Sequence, residues 1–374
     1  MWIISKMCFK TLMIRIDSMK ILSIIGARPQ FTKCSPLSRE IRKEHTEILV
    51  HTGQHYNPEM SDIFIKELQI PQPDYNLGVG SSSHGEQTGK MLIEIEKILL
   101  KEEPDTVLVY GDTNSTVAGA LAASKLNIRI AHVEAGLRSF DRSMPEEINR
   151  VLTDHLSDSL FCPTETAVLN LKNEGITTGV YNVGDVMLDA LEHNIKIAEE
   201  KSTVLEDMGL SSKEYLIATV HRASNTDSFS NLSSIVNAFC DVDVPIVFPV
   251  HPRTEKYLKH YGLWNKLCKK VKVIYPVGYL DMLKLMAHSR KILTDSGGVQ
   301  KEAYMLGVPC ITMRENTEWV ETIEEGGNVL VGADYRKIVD TIKDFEGSTS
   351  KRNVFGTGNS SENICKILGN KNLF

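Results

Sequence analysis

Short apolar runs alternate with longer amphipathic segments along almost the whole chain. Runs at 20–25, 47–50, 106–109, 128–133 and 159–161 are followed in the second half by 215–220, 245–249, 271–275, 291–293 and 309–312. They are continuous and rich in Val and Ile, which fits strands buried on both faces. Helical periodicity fills the gaps, as at 86–101, 116–125, 146–156 and 299–306. Strand–helix alternation implies parallel sheets joined by helical crossovers. The rhythm pauses at 182–201, where the helical stretch VMLDALEHNIKIAEEK follows VGD, so a domain boundary is expected at about Asp185. A length of 374 residues also exceeds what one hydrophobic core usually organises. The expectation is two α/β domains, 19–185 and 186–355, and a C-terminal segment, 356–374, with a weak helix at 362–368. The first eighteen residues stand apart: Lys6, Lys10, Arg15 and Asp17 interrupt their apolar residues too often for a signal sequence. The strand pattern MKILSIIG starts at Met19, so residues 1–18 are expected to be a start-site artefact or an arm outside the fold.

Composition narrows the function classes. The formal net charge of −6 lacks the basic surplus of a nucleic-acid binder. No apolar run approaches the ~18 residues that cross a bilayer, and seven dispersed cysteines without a C-x-x-C pair read as reduced thiols of a cytoplasmic protein. His132-x-Glu134 offers too few ligands for a metal, and no H-E-x-x-H helix motif accompanies it, so no metal is expected. G-x-G-x-x-G is absent, which argues against a nicotinamide cofactor.

In doubly wound sheets, ligands sit beyond the carboxyl ends of the strands. Nearly every expected strand here ends in polar or charged residues. The first half presents carboxylates: Asp112, Glu134 and the pair Glu146–Glu147. The second presents His221 and Arg222, Arg253, Arg314 and the turn Ser296–Gly297–Gly298. That turn opens a helix, whose free N–H groups and dipole attract an anion, and arginine offers phosphate two donors at once. Taken singly, each has a plainer reading: Asp112–Thr113 and Asp295–Ser296 as helix caps, His132 as a core histidine, Glu146–Glu147 as partners of the helix dipole, Arg253 as a surface ion pair. Their coincidence at strand ends favours a diphosphate held by the second half and a reacting group offered to carboxylates of the first.

Ten motifs in order carry a resemblance: GARPQ (26–30), TGQH (52–55), GDTNST (111–116), HVEAGLRS (132–139), MPEEINR (144–150), PTE (163–165), VHR (220–222), HPR (251–253), DSGG (295–298) and RENTEW (314–319). The chain resembles UDP-N-acetylglucosamine 2-epimerases of the non-hydrolysing branch from Met19 to about Gly332. The resemblance implies two Rossmann-like domains facing across a cleft (the glycosyltransferase-B type), a homodimer and no cofactor. It implies UDP binding by His221, Arg222, Ser296, Gly297, Gly298 and Glu302, with Arg28 and Lys33 reaching the diphosphate from the first half. It implies Asp112, Glu134 and Glu146 as catalytic carboxylates, with His221 assisting departure of the leaving group or binding phosphate. Gln54 and His55 match residues that bind a second UDP-GlcNAc as activator, although 76–85 offers no Arg for its diphosphate. Two positions depart from the pattern: Gln30 and Lys301 stand where Glu and an acidic residue are common.

The implied reaction interconverts UDP-GlcNAc and UDP-N-acetylmannosamine (UDP-ManNAc), a precursor of surface polysaccharides. UDP leaves C1 as the C2 proton is removed, and 2-acetamidoglucal is reprotonated on its other face as UDP returns. The rivals are a hydrolysing relative that releases ManNAc and UDP, a retaining glycosyltransferase of the same fold, and a catalytically silent nucleotide-sugar sensor.

Overall fold

The computed structural model describes residues 18–54, 65–348 and 353–370. The expected extension therefore lies outside the described residues up to position 17, as do His55 and the side chain of Arg28. Two parallel sheets organise the chain. The first has seven strands: β1 (Lys20–Ile25), β2 (Thr46–His51), β3 (Tyr75–Asn76), β4 (Thr106–Tyr110), β5 (Arg129–Val133), β6 (Ser159–Cys162) and β7 (Val180–Asn182). Their order is β3-β2-β1-β4-β5-β6-β7. The second has six: β8 (Leu216–Thr219), β9 (Ile246–Pro249), β10 (Lys272–Ile274), β11 (Lys291–Thr294), β12 (Cys310–Thr312) and β13 (Asn328–Leu330). Their order is β10-β9-β8-β11-β12-β13. Each sheet begins in the middle, runs to one edge, then returns and runs to the other. That is the doubly wound Rossmann-like plan, and two such sheets give the glycosyltransferase-B-like architecture.

The apolar runs sit where the pattern predicts them because central strands have helices on both faces. Leu22, Ile24, Val107, Val109 and Ile130 face one layer of helices, while Ile21, Ile25, Leu108, Ala131 and Val133 face the other. The strands that the pattern misses, β3, β7 and β13, are two or three residues long and lie at sheet edges. There a short backbone pairing requires no apolar run.

The helix Val186–Lys201 follows the first sheet and packs against both the helix Arg28–Glu44 and the helix Tyr279–His288. One apolar cluster runs through both halves, joining Phe31, Leu37 and Val133 to Tyr304, Trp319 and Phe355. The C-terminal helix Ser360–Leu368 adds Ile364 and Leu368 to that cluster and packs on Arg28–Glu44. Asp189 accepts its first backbone N–H groups, from Ser360 at 3.2 Å and Ser361 at 2.7 Å, which satisfies donors that a helix start otherwise leaves open.

Candidate active site

The order of each sheet reverses beside its first strand. Chains leaving β1 and β4, and those leaving β8 and β11, diverge there and open a crevice. Of the residues picked from sequence, Asp112, His221, Arg222 and Ser296–Gly298 lie on these turns or at the helix start just beyond them, whereas Gln54, Glu134 and Arg314 follow β2, β5 and β12, and Lys33, Glu146, Arg253 and Glu302 lie on helices. In the first half they form tightly partnered clusters. Asp112 follows β4 and accepts a hydrogen bond from Arg150 Nη2 at 2.5 Å. Arg150 also lies 3.2 Å from Glu147. Glu147 is buried and accepts from Ser139 N and Phe140 N, both at 2.9 Å, whereas Glu146 beside it is exposed. The start of the helix Pro145–Leu156 thus divides its acidic pair into one structural carboxylate and one open to solvent.

Glu134 follows β5 with φ +71°, in the left-handed region that a non-glycine residue rarely occupies. Such strain persists only where the surroundings enforce it, and it concentrates at functional sites. Here the carboxylate is gripped from two sides: Lys33 Nζ donates to Oε2, and Lys301 Nζ donates to Oε1 at 2.7 Å. Burial pushes this carboxyl upward, but the two lysines outweigh it and hold it well below the usual carboxylate range. Gly111 closes against the pair: a Cβ there would lie 3.1 Å from Lys33 Nζ and 3.2 Å from Glu134 Oε2. His132 takes its plainer role. It is fully buried, with Nδ1 paired to Asp154 at 2.7 Å and Nε2 facing the Gly111 carbonyl at 2.7 Å.

Gln30 is explained by its surroundings. Its amide oxygen accepts from Gly26 N (2.8 Å) and Ala27 N (3.0 Å), while its NH2 donates to the Tyr110 carbonyl (2.9 Å) and the Thr116 hydroxyl (3.1 Å). An ionised glutamate would accept the first two bonds but face the Tyr110 carbonyl with a second acceptor. Gln54 braces the neighbouring turn, its amide oxygen accepting from Ser115 N at 3.1 Å and Ser115 Oγ at 2.7 Å.

The second half is more open. Asp295 is fully buried and, rather than capping the next helix, accepts from the backbone N–H groups of His221 and Arg222 at 3.0 Å each. That fixes the turn and leaves the His221 and Arg222 side chains 39% and 31% exposed. Ser296 is half-buried and Gly298 exposed at the start of the helix Gly297–Leu306. Gly297 is required by close approach, since a Cβ there would lie 2.2 Å from Glu318 Oε1. Glu318 is held by Arg314 Nη2 at 2.9 Å, with Arg222 Nη2 at 3.8 Å. Glu302 is buried and accepts from Tyr279 OH at 3.1 Å. Arg253 takes the surface reading: it is exposed and paired with Asp227 Oδ1 at 2.7 Å. It is the one cation of the expected phosphate set committed to an exposed carboxylate.

Sequence reasoning assigned no role to Arg150, Asp185, Lys301 or Glu318. Arg150 had a signal, since it lies three residues after Glu147 on one helix, where side chains meet. Lys301 had one as well: a lysine amid the small and apolar residues of a helix that must pack on a sheet needs buried partners. Asp185 is buried at the N-cap of Val186–Lys201 and accepts from Lys301 Nζ at 2.5 Å, a pairing across 116 residues that spacing could not reveal. Among the described residues, no group of three or more His, Cys, Asp or Glu side chains is placed to hold a metal ion. Among them also, no helix is long and apolar enough to cross a membrane.

The strand ends of the first half bring carboxylates together, and those of the second bring an open helix N-terminus beside arginines. The family model described as UDP-N-acetylglucosamine 2-epimerase matches residues 39–369. A Methanococcus maripaludis protein named UDP-N-acetylglucosamine 2-epimerase homolog is 60% identical, over 94% of this chain and all of its own length. A Pseudomonas aeruginosa protein named UDP-2,3-diacetamido-2,3-dideoxy-D-glucuronate 2-epimerase is 52% identical, over 94% of this chain and 99% of its own. The crystal structure of Methanocaldococcus jannaschii UDP-GlcNAc 2-epimerase in complex with UDP-GlcNAc and UDP superposes with a TM-score of 0.88 at 51% identity, covering 94% of this chain and 99% of that one. The chain belongs to the UDP-N-acetylglucosamine 2-epimerase family and is an isomerase.

Proposed function

We propose that this protein interconverts UDP-GlcNAc and UDP-ManNAc by elimination and re-addition of UDP, without net hydrolysis. The observation that carries this reading is the division of labour across the cleft. Ionisable carboxylates stand on one wall, and a half-open anion site stands on the other. UDP would lie with its diphosphate at Ser296–Gly298 and Arg222, where helix N–H groups and guanidinium stabilise the charge that grows as the C1–O bond breaks. Glu302, six residues after Ser296, would accept ribose hydroxyls. The sugar would then face Asp112, Glu134 and Glu146.

A carboxylate on this wall takes the C2 proton as the C1–O electron pair leaves with UDP, forming the C1–C2 double bond of 2-acetamidoglucal. A second group returns a proton to the opposite face of C2 as UDP re-adds at C1. Both lysines beside Glu134 keep positive charge near the diphosphate end of the sugar. Gln54 would bind a second UDP-GlcNAc as activator through its amide NH2, its oxygen being held by Ser115.

A second reading shares the chemistry but changes the sugar. The Pseudomonas relative is named for a 2,3-diacetamido glucuronate, and its identity of 52% is close to the 51% of the Methanocaldococcus enzyme. Incubation with each nucleotide sugar in heavy water, followed by NMR, tests both. Deuterium at C2 of UDP-GlcNAc together with UDP-ManNAc is the expected result. Free ManNAc would identify a hydrolase. Exchange only with the diacetamido glucuronate would move the activity to that sugar, and no exchange with either would end the epimerase reading.

A further inference from the structure

The mechanism uses Glu134 but does not explain why its carboxylate is tied to a lysine of the other half and, through it, to Asp185. Lys301 lies on the helix Gly297–Leu306, one turn after the Ser296–Gly298 anion site, and is 1% exposed. Its ammonium donates two hydrogen bonds and packs its remaining side against a ring. One goes to Glu134 Oε1 at 2.7 Å and one to Asp185 Oδ2 at 2.5 Å. The third side faces Trp319, whose ring centroid is 4.0 Å away. The three partners come from three places: the turn after β5, the cap of the bridging helix Val186–Lys201, and RENTEW of the second half. A lysine so enclosed, 1% exposed and held by two carboxylates, is placed to position its neighbours.

The charged groups facing Glu134 are few. Lys33 comes from the helix Arg28–Glu44 and Lys301 from Gly297–Leu306, with Asp185 behind Lys301. Asp112 turns to Arg150 instead, and His132 to Asp154. Lys33 and Lys301 therefore balance Glu134 and Asp185, and the four form a neutral buried set. Such a set is stable only when complete, because a buried charge that loses its partner is strongly disfavoured.

Resting on the epimerase reading above, we propose that Lys301 is a positioning residue for catalysis. It reaches from the nucleotide-binding half to fix the Glu134 carboxylate in register with the anion site on its own helix, so that both Glu134 oxygens are held, Oε2 by Lys33 and Oε1 by Lys301, only when the two halves are closed together. Asp185 holds the lysine in place at the junction, and Trp319 closes its remaining side. Binding of a diphosphate at Ser296–Gly298 seats the helix that carries Lys301, which in turn sets the carboxylate that faces the sugar. Coupling between nucleotide binding and acid–base competence then runs through about one turn of helix.

Three variants test this. Lys301→Met leaves two carboxylates with one lysine, and Lys301→Met with Asp185→Asn restores neutrality so that the fold is kept. For the double variant the expected result is a wild-type melting temperature and UDP affinity, turnover lower by about 10²-fold, and an acidic limb of the pH–rate profile displaced upward by about two pH units. Lys301→Arg keeps the cation and should recover part of the turnover with the acidic limb left low. Carbon-13 NMR of the glutamate carboxyls in the UDP complex reports the Glu134 titration without any turnover, with Glu134→Gln supplying the assignment. That separates failure of this proposal from failure of the epimerase reading. An unchanged pH profile and an unmoved Glu134 resonance in the double variant would overturn the role of Lys301, whatever the substrate proves to be.

Discussion

Asp112, Glu134 and His132 on the first wall of the cleft are each held by a side-chain partner within 2.7 Å. Across from them, His221 and Arg222 stand 39% and 31% exposed, their side chains at 3.6 Å from Asp295 and 3.8 Å from Glu318, on a turn whose backbone N–H groups Asp295 accepts. Under the proposed function, the difference follows from what each wall would do. A group that moves a proton has to be oriented before the sugar arrives, since misplacement is paid in the barrier. A wall that receives a mobile diphosphate must keep its donors unspent, because a cation already paired gains little from a new anion. Arg253 illustrates the second point by contrast, with its guanidinium committed to Asp227.

Breaking the first wall should have the largest effect. Asp112→Asn and Glu134→Gln are expected to reduce turnover by about 10²–10⁴-fold, and Glu146→Gln to do so as well, with UDP affinity by calorimetry unchanged. Loss of UDP binding in the same variants would erase the distinction between the walls. The second wall should answer in the opposite manner. Arg222→Ala removes a charged donor and should weaken UDP binding by about 10–100-fold. Gly297→Ala should do the same by sterics, because its methyl would meet Glu318 Oε1 at 2.2 Å.

A pH measurement sharpens the comparison. The Glu134 carboxyl is depressed in the fold from 4.5 to about 2. A carboxyl lowered on folding stabilises the protein fully above its unfolded value, and the contribution is lost as pH falls through the folded one. Urea midpoints should therefore fall between about pH 4.5 and 2, and Glu134→Gln should flatten that part of the curve. Gln54→Ala comes next. It removes two hydrogen bonds to Ser115 and should cost about 1 kcal/mol of stability, with the dependence of rate on UDP-GlcNAc changed in shape. An unchanged shape would remove the activator role and leave Gln54 as a brace of its turn. Arg253→Ala should have the smallest effect: no measurable change in melting temperature or UDP affinity, since exposed ion pairs contribute little.

Local pattern was enough for the fold and for the candidate site. Buried parallel strands must be continuously apolar, so Lys20–Ile25 and Lys291–Thr294 could be read directly, and whatever polar residues follow such strands lie at the rim where ligands bind. Spacing also carried the helix starts at Pro145 and Gly297, because caps and first turns are local chemistry. Partner choice was not local. Nothing near Glu134 in the chain announces Lys33 or Lys301, and nothing near Lys301 announces Asp185. These groups are 101, 167 and 116 residues apart. The sequence determined that carboxylates and cations would face one cleft, because strand ends of a doubly wound sheet share one rim. Only the tertiary structure decided which charges are spent on each other and which stay open to a ligand, because burial and ångström-scale distances between the halves set the electrostatic balance.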